Sequence, residues 1–184
     1  MTGFPADGAD TKGYTRPARV MHWLTAVLVL FMIPVGVIIA KEKGGPLQDL
    51  LYTLHKSTGA LILILVIARL AYRLTHKPPL LPGDTPPLQR LAAQATHWAL
   101  YALLIIMPLL GWAGTSAYPA PVPFYGLFEL PPLLAPDRTL SERLLHWHGL
   151  IGFPLGGLAL LHIGAALYHH FVRRDRVLLR MLSG

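Results

Sequence analysis

The sequence of 184 residues contains no cysteine. This absence excludes disulfides, iron–sulfur clusters, thiolate zinc sites and the C-x-x-C-H attachment of c-type haem. Any bound metal must therefore take histidine, methionine or oxygen ligands. The nine histidines are the residues in which such a site is to be sought first.

Charged residues are also scarce: they make up 14% of the chain, whereas 53% is hydrophobic. So many apolar stretches in a short chain indicate a membrane protein rather than a soluble domain. The segment Met1–Lys12 lacks the apolar core of a secretory signal, so we expect the first apolar stretch, His22–Ala40, to be retained as a span. The formal charge of +7 is carried at the ends of the apolar stretches, which favours membrane topology over nucleic-acid binding as its explanation.

Four apolar stretches predict an all-α fold, an integral membrane four-helix bundle that forms a single membrane domain over residues 1–184. The predicted spans are residues 20–40, 51–74, 91–113 and 144–171. Each is long enough to cross a hydrocarbon core of about 30 Å. A proline-rich loop separates the second and third spans, the long segment 114–143 is expected at the surface or interface, and a basic tail follows the fourth span.

Four spans place both termini on one side of the membrane, and lysine and arginine decide which side. The termini and the second loop carry eleven: Lys12, Arg16, Arg19, Arg69, Arg73, Lys77, Arg90, Arg173, Arg174, Arg176 and Arg180. The opposite face carries five: Lys41, Lys43, Lys56, Arg138 and Arg143. The distribution predicts that both termini face the cytoplasm.

Histidines within membrane spans are costly and indicate function. His148 and His162 lie fourteen residues apart in the fourth span, which leaves them about 40° apart on one helix face and separated by about 21 Å along the axis. One helix could therefore offer a ligand to each of two stacked cofactors. Antiparallel helices then predict an outer pair of His55 with His148 and an inner pair of His22 with His162, the arrangement that bis-histidine haem ligation requires.

Spacing alone leaves the inner pair open. His169 follows His162 by seven residues and shares its face within about 20°, so a His22–His169 pair is an alternative. The other histidines are His97 and His146, which are further contenders, His76, which is expected in a loop, and His170, which is expected to point away from the ligand face.

The fourteen-residue offset recurs after the histidines of the first two spans. It places Gly36 at the level of the outer site and Arg69 at the level of the inner site, where a haem propionate would supply an anion. Gly59 and Gly152 each follow an outer ligand by four residues and could let a porphyrin approach the backbone. The alternatives are ordinary helix packing for the glycines and extension of Arg69 to the headgroups.

Several segments together resemble the prokaryotic cytochrome b561 family. The matching segments are Tyr14–Leu24, Leu54–Gly59 with the apolar run to Leu70, His97–Tyr101 with Pro108 and Gly111, Trp147–Gly149, and Leu161–Phe171. The resemblance extends from about Tyr14 to Met181, and the combined pattern is far more specific than any one segment.

This resemblance implies a four-helix protein of the bacterial inner membrane with two haem b groups, which exchanges electrons with the quinone pool. It implies that His22, His55, His148 and His162 ligate the haem iron, and so favours His162 over His169, with His97 not a ligand. One branch of the family passes electrons from superoxide to ubiquinone, and related subunits anchor hydrogenases and formate dehydrogenases.

The leading hypothesis is thus a membrane oxidoreductase that transfers electrons between an outer-face donor, with superoxide as candidate, and ubiquinone. His97 is a candidate to assist quinone protonation. A positive outer surface would attract superoxide, but the predicted outer face carries about equal numbers of acidic and basic residues, so attraction requires that the basic residues cluster.

Two other hypotheses remain. The chain could be a haem-bearing anchor that relays electrons from a partner dehydrogenase or hydrogenase, which predicts a docking surface on the long third loop. It could instead be a haem-free membrane protein, such as a metal transporter, that uses the same histidines.

Overall fold

The computed structural model describes residues 13–41 and 44–184. Within these residues four long helices follow one another, and each is long and apolar enough to cross a membrane. They are α1 (Arg16–Lys41), α2 (Pro46–Thr75), α3 (Pro87–Ala117) and α4 (Arg138–Tyr168). The predicted all-α four-helix fold is confirmed.

Helices α1, α2 and α3 extend beyond their predicted spans at both ends, because the polar residues there remain helical, whereas α4 does so only at its start. Proline occupies the first position of α2 and of α3, where its missing N–H costs nothing. The carboxylate of Asp137 caps α4 by accepting a hydrogen bond of 2.9 Å from the backbone N–H of Leu140. The α4 helix therefore begins at Arg138, six residues before the predicted span.

The four helices run alternately up and down, so the bundle has two ends. The termini end carries residues 13–15, the α2–α3 loop and the C-terminal residues; the hairpin end carries the α1–α2 connection and the α3–α4 connection. Lys12, Glu42 and Lys43, which entered the analysis of charge, lie outside the described residues.

The α3–α4 connection contains a small β-hairpin rather than an irregular loop. Strands β1 (Val122–Phe124) and β2 (Phe128–Leu130) pair antiparallel. Tyr125 and Gly126 have φ values of 51° and 74°, and the N–H of Leu127 donates to the carbonyl of Phe124 at 3.0 Å. Three residues, Tyr125 to Leu127, thus connect the paired strand ends, and the two successive positive φ angles lie within this turn.

The expected basic tail is also ordered. Helix α4 ends in a π-helical turn, His169–Arg173, and a short helix, α5 (Val177–Leu182), follows. Three N–H groups of the first residues donate to backbone carbonyls of α5: Tyr14 N to Arg180 (3.1 Å), an Arg19 guanidinium N–H to Leu182 (3.2 Å) and the Trp23 indole to Met181 (3.0 Å). Residues 14–23 and α5 are therefore hydrogen-bonded to each other at the termini end of the bundle.

The buried core is formed by α1, α2 and α3. Its central residues are Val29, Met32, Ile62, Val66 and Tyr101. Helix α4 packs mainly on α3. Only 6% of the residues in its most apolar segment are buried inside the chain, against 22–33% in the corresponding segments of the other three helices. Helix α4 thus makes few contacts with α1 and α2, and histidine side chains lie between these helices.

Candidate functional site

Helices α2 and α4 bring His55 and His148 together near the hairpin end. Their ring centroids lie 5.9 Å apart and their planes are 76° apart. The Nδ1 of His148 lies 2.9 Å from the carbonyl oxygen of Met107 in α3. Because a carbonyl can only accept, Nδ1 carries the proton, and Nε2 keeps a lone pair for a metal. We call His55 and His148 the hairpin pair.

Two glycines provide the room that these rings occupy. A Cβ at Gly111 would lie 3.0 Å from Cε1 and 3.1 Å from Nδ1 of His148, and a Cβ at Gly36 would lie 3.3 Å from Cε1 of His55. Sequence spacing placed Gly36 at this level. It did not assign a role to Gly111, because which neighbour this glycine faces depends on the packing of α3 against α4.

Helices α1 and α4 bring His22 and His162 together near the termini end, with ring centroids 6.1 Å apart. We call these residues the termini pair. A third ring is present, because His97 of α3 lies 5.2 Å from His162. Sequence reasoning identified His97 as a contender, and the structure places it beside the termini pair.

The alternative partner for His22 is engaged elsewhere. The Nδ1 of His169 lies 2.5 Å from a carboxylate oxygen of Asp175, and the same oxygen accepts from Nε of Arg173 at 3.3 Å. The structure therefore brings His22 to His162 rather than to His169. The remaining histidines contact aromatic neighbours: His76 stacks on Tyr72, His146 contacts Trp147, and His170 contacts Phe171.

Two arginines of α2 lie against one tyrosine near the termini pair. The Cζ of Arg69 is 5.3 Å, and that of Arg73 5.8 Å, from the centroid of the Tyr101 ring, which is buried. Arg73 also lies 5.6 Å from the ring of Trp98. Burial raises the pKa of nearby Tyr14, although the charges of Arg73 and Arg69 act against this, so this phenol brings no negative charge to the arginines.

Gly59 and Gly152, the other predicted site residues, have open surroundings. A Cβ at Gly59 would meet only the Cε of Met32 at 3.9 Å, and a Cβ at Gly152 only the Cε of Met107 at 3.8 Å. These are ordinary contact distances, so packing within the chain does not require glycine at either position. Their role as surfaces for a porphyrin remains a prediction.

The separation of the histidine pairs fits haem iron. Two opposed imidazoles with metal–nitrogen bonds of about 2 Å have ring centroids roughly 6 Å apart, and the observed separations are 5.9 and 6.1 Å. The hydrogen bond from Nδ1 of His148 to the Met107 carbonyl is the contact that a metal-ligating histidine ordinarily makes with its second nitrogen. The Nδ1 atoms of His22 and His55 are buried without a hydrogen-bond partner among the described residues.

A membrane bundle whose facing helices carry paired histidines is the architecture of a b-type membrane cytochrome. The model of the prokaryotic cytochrome b561 family matches residues 13–184, and the chain belongs to this family. It is therefore a bacterial membrane cytochrome of electron transfer, and the family implies b-type haem and quinone-linked electron transfer. The resemblance found in the sequence is confirmed.

Individual relatives agree over nearly their whole length. The chain is 31% identical to cytochrome b561 homolog 2 of Escherichia coli (strain K12) over 166 residues, 88% of this chain and 87% of that protein. It is 30% identical over 167 residues to the probable superoxide oxidase CybB of Yersinia pestis, covering 88% and 91%. It is 29% identical over 178 residues to cytochrome b562 of Cereibacter sphaeroides, covering 92% and 95%.

Proposed function

We propose that this chain is a di-haem b cytochrome of the inner membrane that takes electrons from a donor at the hairpin end and delivers them to ubiquinone. The observation that carries the proposal is the presence of two histidine pairs that each have one member on α4, with ring centroids 5.9 and 6.1 Å apart. Their members on α4 are fourteen residues apart, or about 21 Å along the helix. One pair would thus serve each half of the bilayer.

In this proposal the hairpin pair and the termini pair each hold one haem, which supplies reversible one-electron chemistry when bound. Residues of the chain would fix the position of each haem. The Met107 carbonyl holds the His148 tautomer, Gly36 and Gly111 leave room for the rings, and apolar side chains of the bundle exclude water. Arg69 is the partner for a carboxylate of the group at the termini pair.

We place the termini end in the cytoplasm. The eleven lysines and arginines assigned to that side, against five on the other, support this orientation. The hairpin end would then meet donors outside the cytoplasm, and protons for quinone reduction would enter from the opposite side. His97, beside the termini pair, remains the candidate to assist that protonation.

Superoxide is the proposed donor, supported by the name of the Yersinia pestis relative. Two superoxide anions would each lose one electron to become dioxygen, and one ubiquinone would take both electrons and two protons. Lys56 follows His55 directly and donates to the carbonyl of Pro121 at 2.7 Å, so its ammonium group lies against the α3–α4 connection. Arg138 is instead paired with Glu142 at 3.0 Å, which leaves Lys41, Lys56 and Arg143 as the described basic residues of this end that could attract an anion.

The first test is a reduced-minus-oxidised visible spectrum of the purified protein with haem quantified per chain. The expected result is two low-spin b haems in the wild type and one in His148→Ala. His146→Ala, a neighbouring exposed histidine, is the control and should keep both. Absence of haem from the wild type would overturn the proposal, and one haem would show that one of the two pairs is wrong.

The donor is tested separately by superoxide-dependent haem reduction. Slower reduction in Lys56→Gln and Arg143→Gln, with an unchanged haem content, is expected if these charges attract superoxide. Rates equal to wild type at low ionic strength would remove the electrostatic part of the proposal.

A haem-bearing anchor for a partner dehydrogenase or hydrogenase is the second candidate. The hairpin tip favours it, because Leu127 and Phe128 are 77% and 56% exposed on the connection where docking was predicted. A catalytic subunit that co-purifies with the wild type, but not with Leu127→Ser/Phe128→Ser, would support the anchor. Retention by both proteins would exclude the tip as the docking surface.

A further inference from the structure

Arg69 and Arg73 form an unbalanced cationic site. They are one helical turn apart on α2, where two like charges repel. Within the part of the chain that the structure describes, no carboxylate forms an ion pair with either, and neither guanidinium donates a hydrogen bond to another residue. Unpaired charge in a membrane span is costly, so the arrangement requires an anion.

Aromatic rings hold the two guanidinium groups in place. Both lie within 6 Å of the centroid of Tyr101, and Arg73 also lies 5.6 Å from Trp98. Such cation–π contacts position a guanidinium without using its N–H groups. Those groups stay available for carboxylates, which arginine binds in a bidentate manner.

The two histidine pairs therefore differ in their electrostatic surroundings. Both arginines contact Tyr101, one helical turn after His97, whose ring lies 5.2 Å from His162. At the hairpin pair, His148 instead donates to the Met107 carbonyl. Nearby positive charge favours the reduced form of a haem, whereas a hydrogen bond from its ligand to a carbonyl makes the ligand more basic and favours the oxidised form.

We infer that Arg69 and Arg73, held by Tyr101, bind the carboxylates of the haem at the termini pair and make it the higher-potential site of the two. This rests on the proposed function, since it requires haem at both pairs. Both asymmetries act in the same direction, so electrons run downhill from the hairpin end to the termini end. Tyr101 is a positioning residue in this scheme, because it acts through the arginines.

The test is an equilibrium redox titration of the purified di-haem protein. The wild type should show two midpoint potentials, and His148→Ala should retain the higher one. Arg73→Gln should lower the higher of the two midpoint potentials and leave the lower one unchanged. Arg73→Lys keeps the positive charge and should keep the higher potential close to its wild-type value. Arg16→Gln removes an exposed charge at the same end and should change neither potential.

Variants of Tyr101 separate positioning from simple packing. Tyr101→Phe keeps the ring and should keep the higher potential, whereas Tyr101→Leu should lower it even where both haems remain bound. The inference would be overturned if His148→Ala retained the lower potential, or if the Arg73→Gln titration matched that of the wild type. Either result, with two haems bound to the wild type, would leave the proposed function standing. Protein without haem would overturn both.

Discussion

At the scale of single residues, the space around His148 is set by one hydrogen bond and one missing side chain. The ring is held by the Met107 carbonyl on one side, and a Cβ at Gly111 would lie 3.0 Å from its Cε1. The ring could make room for such a Cβ only by moving away from the carbonyl. The placement of the His148 ring thus depends on a glycine of the neighbouring helix.

Gly111→Ala should therefore weaken haem binding at the hairpin pair. Crowding a packed position costs about 1–3 kcal/mol, so a lower thermal midpoint and less than two haems per chain are expected. Gly149→Ala is the matched control, because a Cβ there meets nothing within 4 Å. If the two variants keep equal haem content and equal spectra, the clearance argument is wrong.

The two candidate partners of His22 can be told apart by a matched pair of substitutions. His169→Gln keeps a donor for the buried carboxylate of Asp175 and should keep both haems. His162→Gln should lose one haem, because an amide is a poor iron ligand. Haem counts per chain from the pyridine haemochrome spectrum decide the matter, and loss of a haem in the first variant alone would restore the His169 alternative.

At the scale of elements, the hairpin is held by the residues that follow His55 directly. The Ser57 hydroxyl donates to the carbonyl of Pro123 at 2.8 Å and accepts from the N–H of Tyr125 at 3.1 Å, and Thr58 shares a hydrogen bond with the hydroxyl of Tyr125. Ser57 is 1% exposed. The hairpin is therefore tied to the same turn of α2 that presents a predicted ligand.

Ser57→Ala should loosen this connection. It removes the partner of the part-buried Tyr125 N–H and Pro123 carbonyl, at a cost of about 0.5–1.5 kcal/mol for each hydrogen bond. Faster proteolysis within residues 118–137 is expected, measured in detergent at fixed protease concentration. Thr53→Ala is the control, because this exposed hydroxyl lies one helical turn before Ser57 and donates to the Asp49 carbonyl within α2. Equal cleavage rates for the two variants would show that the hairpin is held by other contacts.

Removal of α5 should destabilise the termini end. Ending the chain after Arg176 removes the carbonyls that accept from Tyr14, Arg19 and Trp23, together with the buried Arg180. Three hydrogen bonds of about 1 kcal/mol each are lost, so a lower thermal midpoint and faster haem loss from the termini pair are expected. Time courses of haem transfer to apomyoglobin measure this, and unchanged loss rates would contradict it.

These elements mark where sequence-based prediction succeeded and where it stopped. Helical periodicity and depth predicted that His55 would face His148 and that His22 would face His162 or His169, because both depend on local geometry along straight helices. The hairpin, the π-helical turn and α5 depend on partners far along the chain. Ser57 and Pro123, for example, are 66 residues apart, and no local sequence pattern predicts the hydrogen bond between them.

The same distinction holds within the candidate site. Arg69 could be placed at the level of the inner pair by its fourteen-residue offset from His55. Its contact with Tyr101, and the part played by Arg73, depend on how α2 packs against α3. The role of Gly111 likewise depends on the His148 side chain, which faces it from α4. Spacing gives depth and helix face, whereas the contact between faces requires the packed structure.

At the scale of the whole molecule, the direction of electron transfer depends on which end of the bundle faces the cytoplasm. The charge distribution predicts that the termini end does, and the proposed donor site at the hairpin end requires the same orientation. A natural cysteine would complicate a labelling test, but the sequence has none. Each introduced cysteine is therefore the only thiol of this chain that a reagent can meet.

Leu127→Cys at the hairpin tip and Ser183→Cys beyond α5 make a matched pair of exposed labelling sites at opposite ends. A membrane-impermeant maleimide should label Leu127→Cys in intact spheroplasts and Ser183→Cys only after permeabilisation, because the charged reagent cannot cross the bilayer. Haem content checks that each variant is folded. The reverse pattern would place the hairpin pair on the cytoplasmic side, where an external donor could not reach it, and electrons would then run outward.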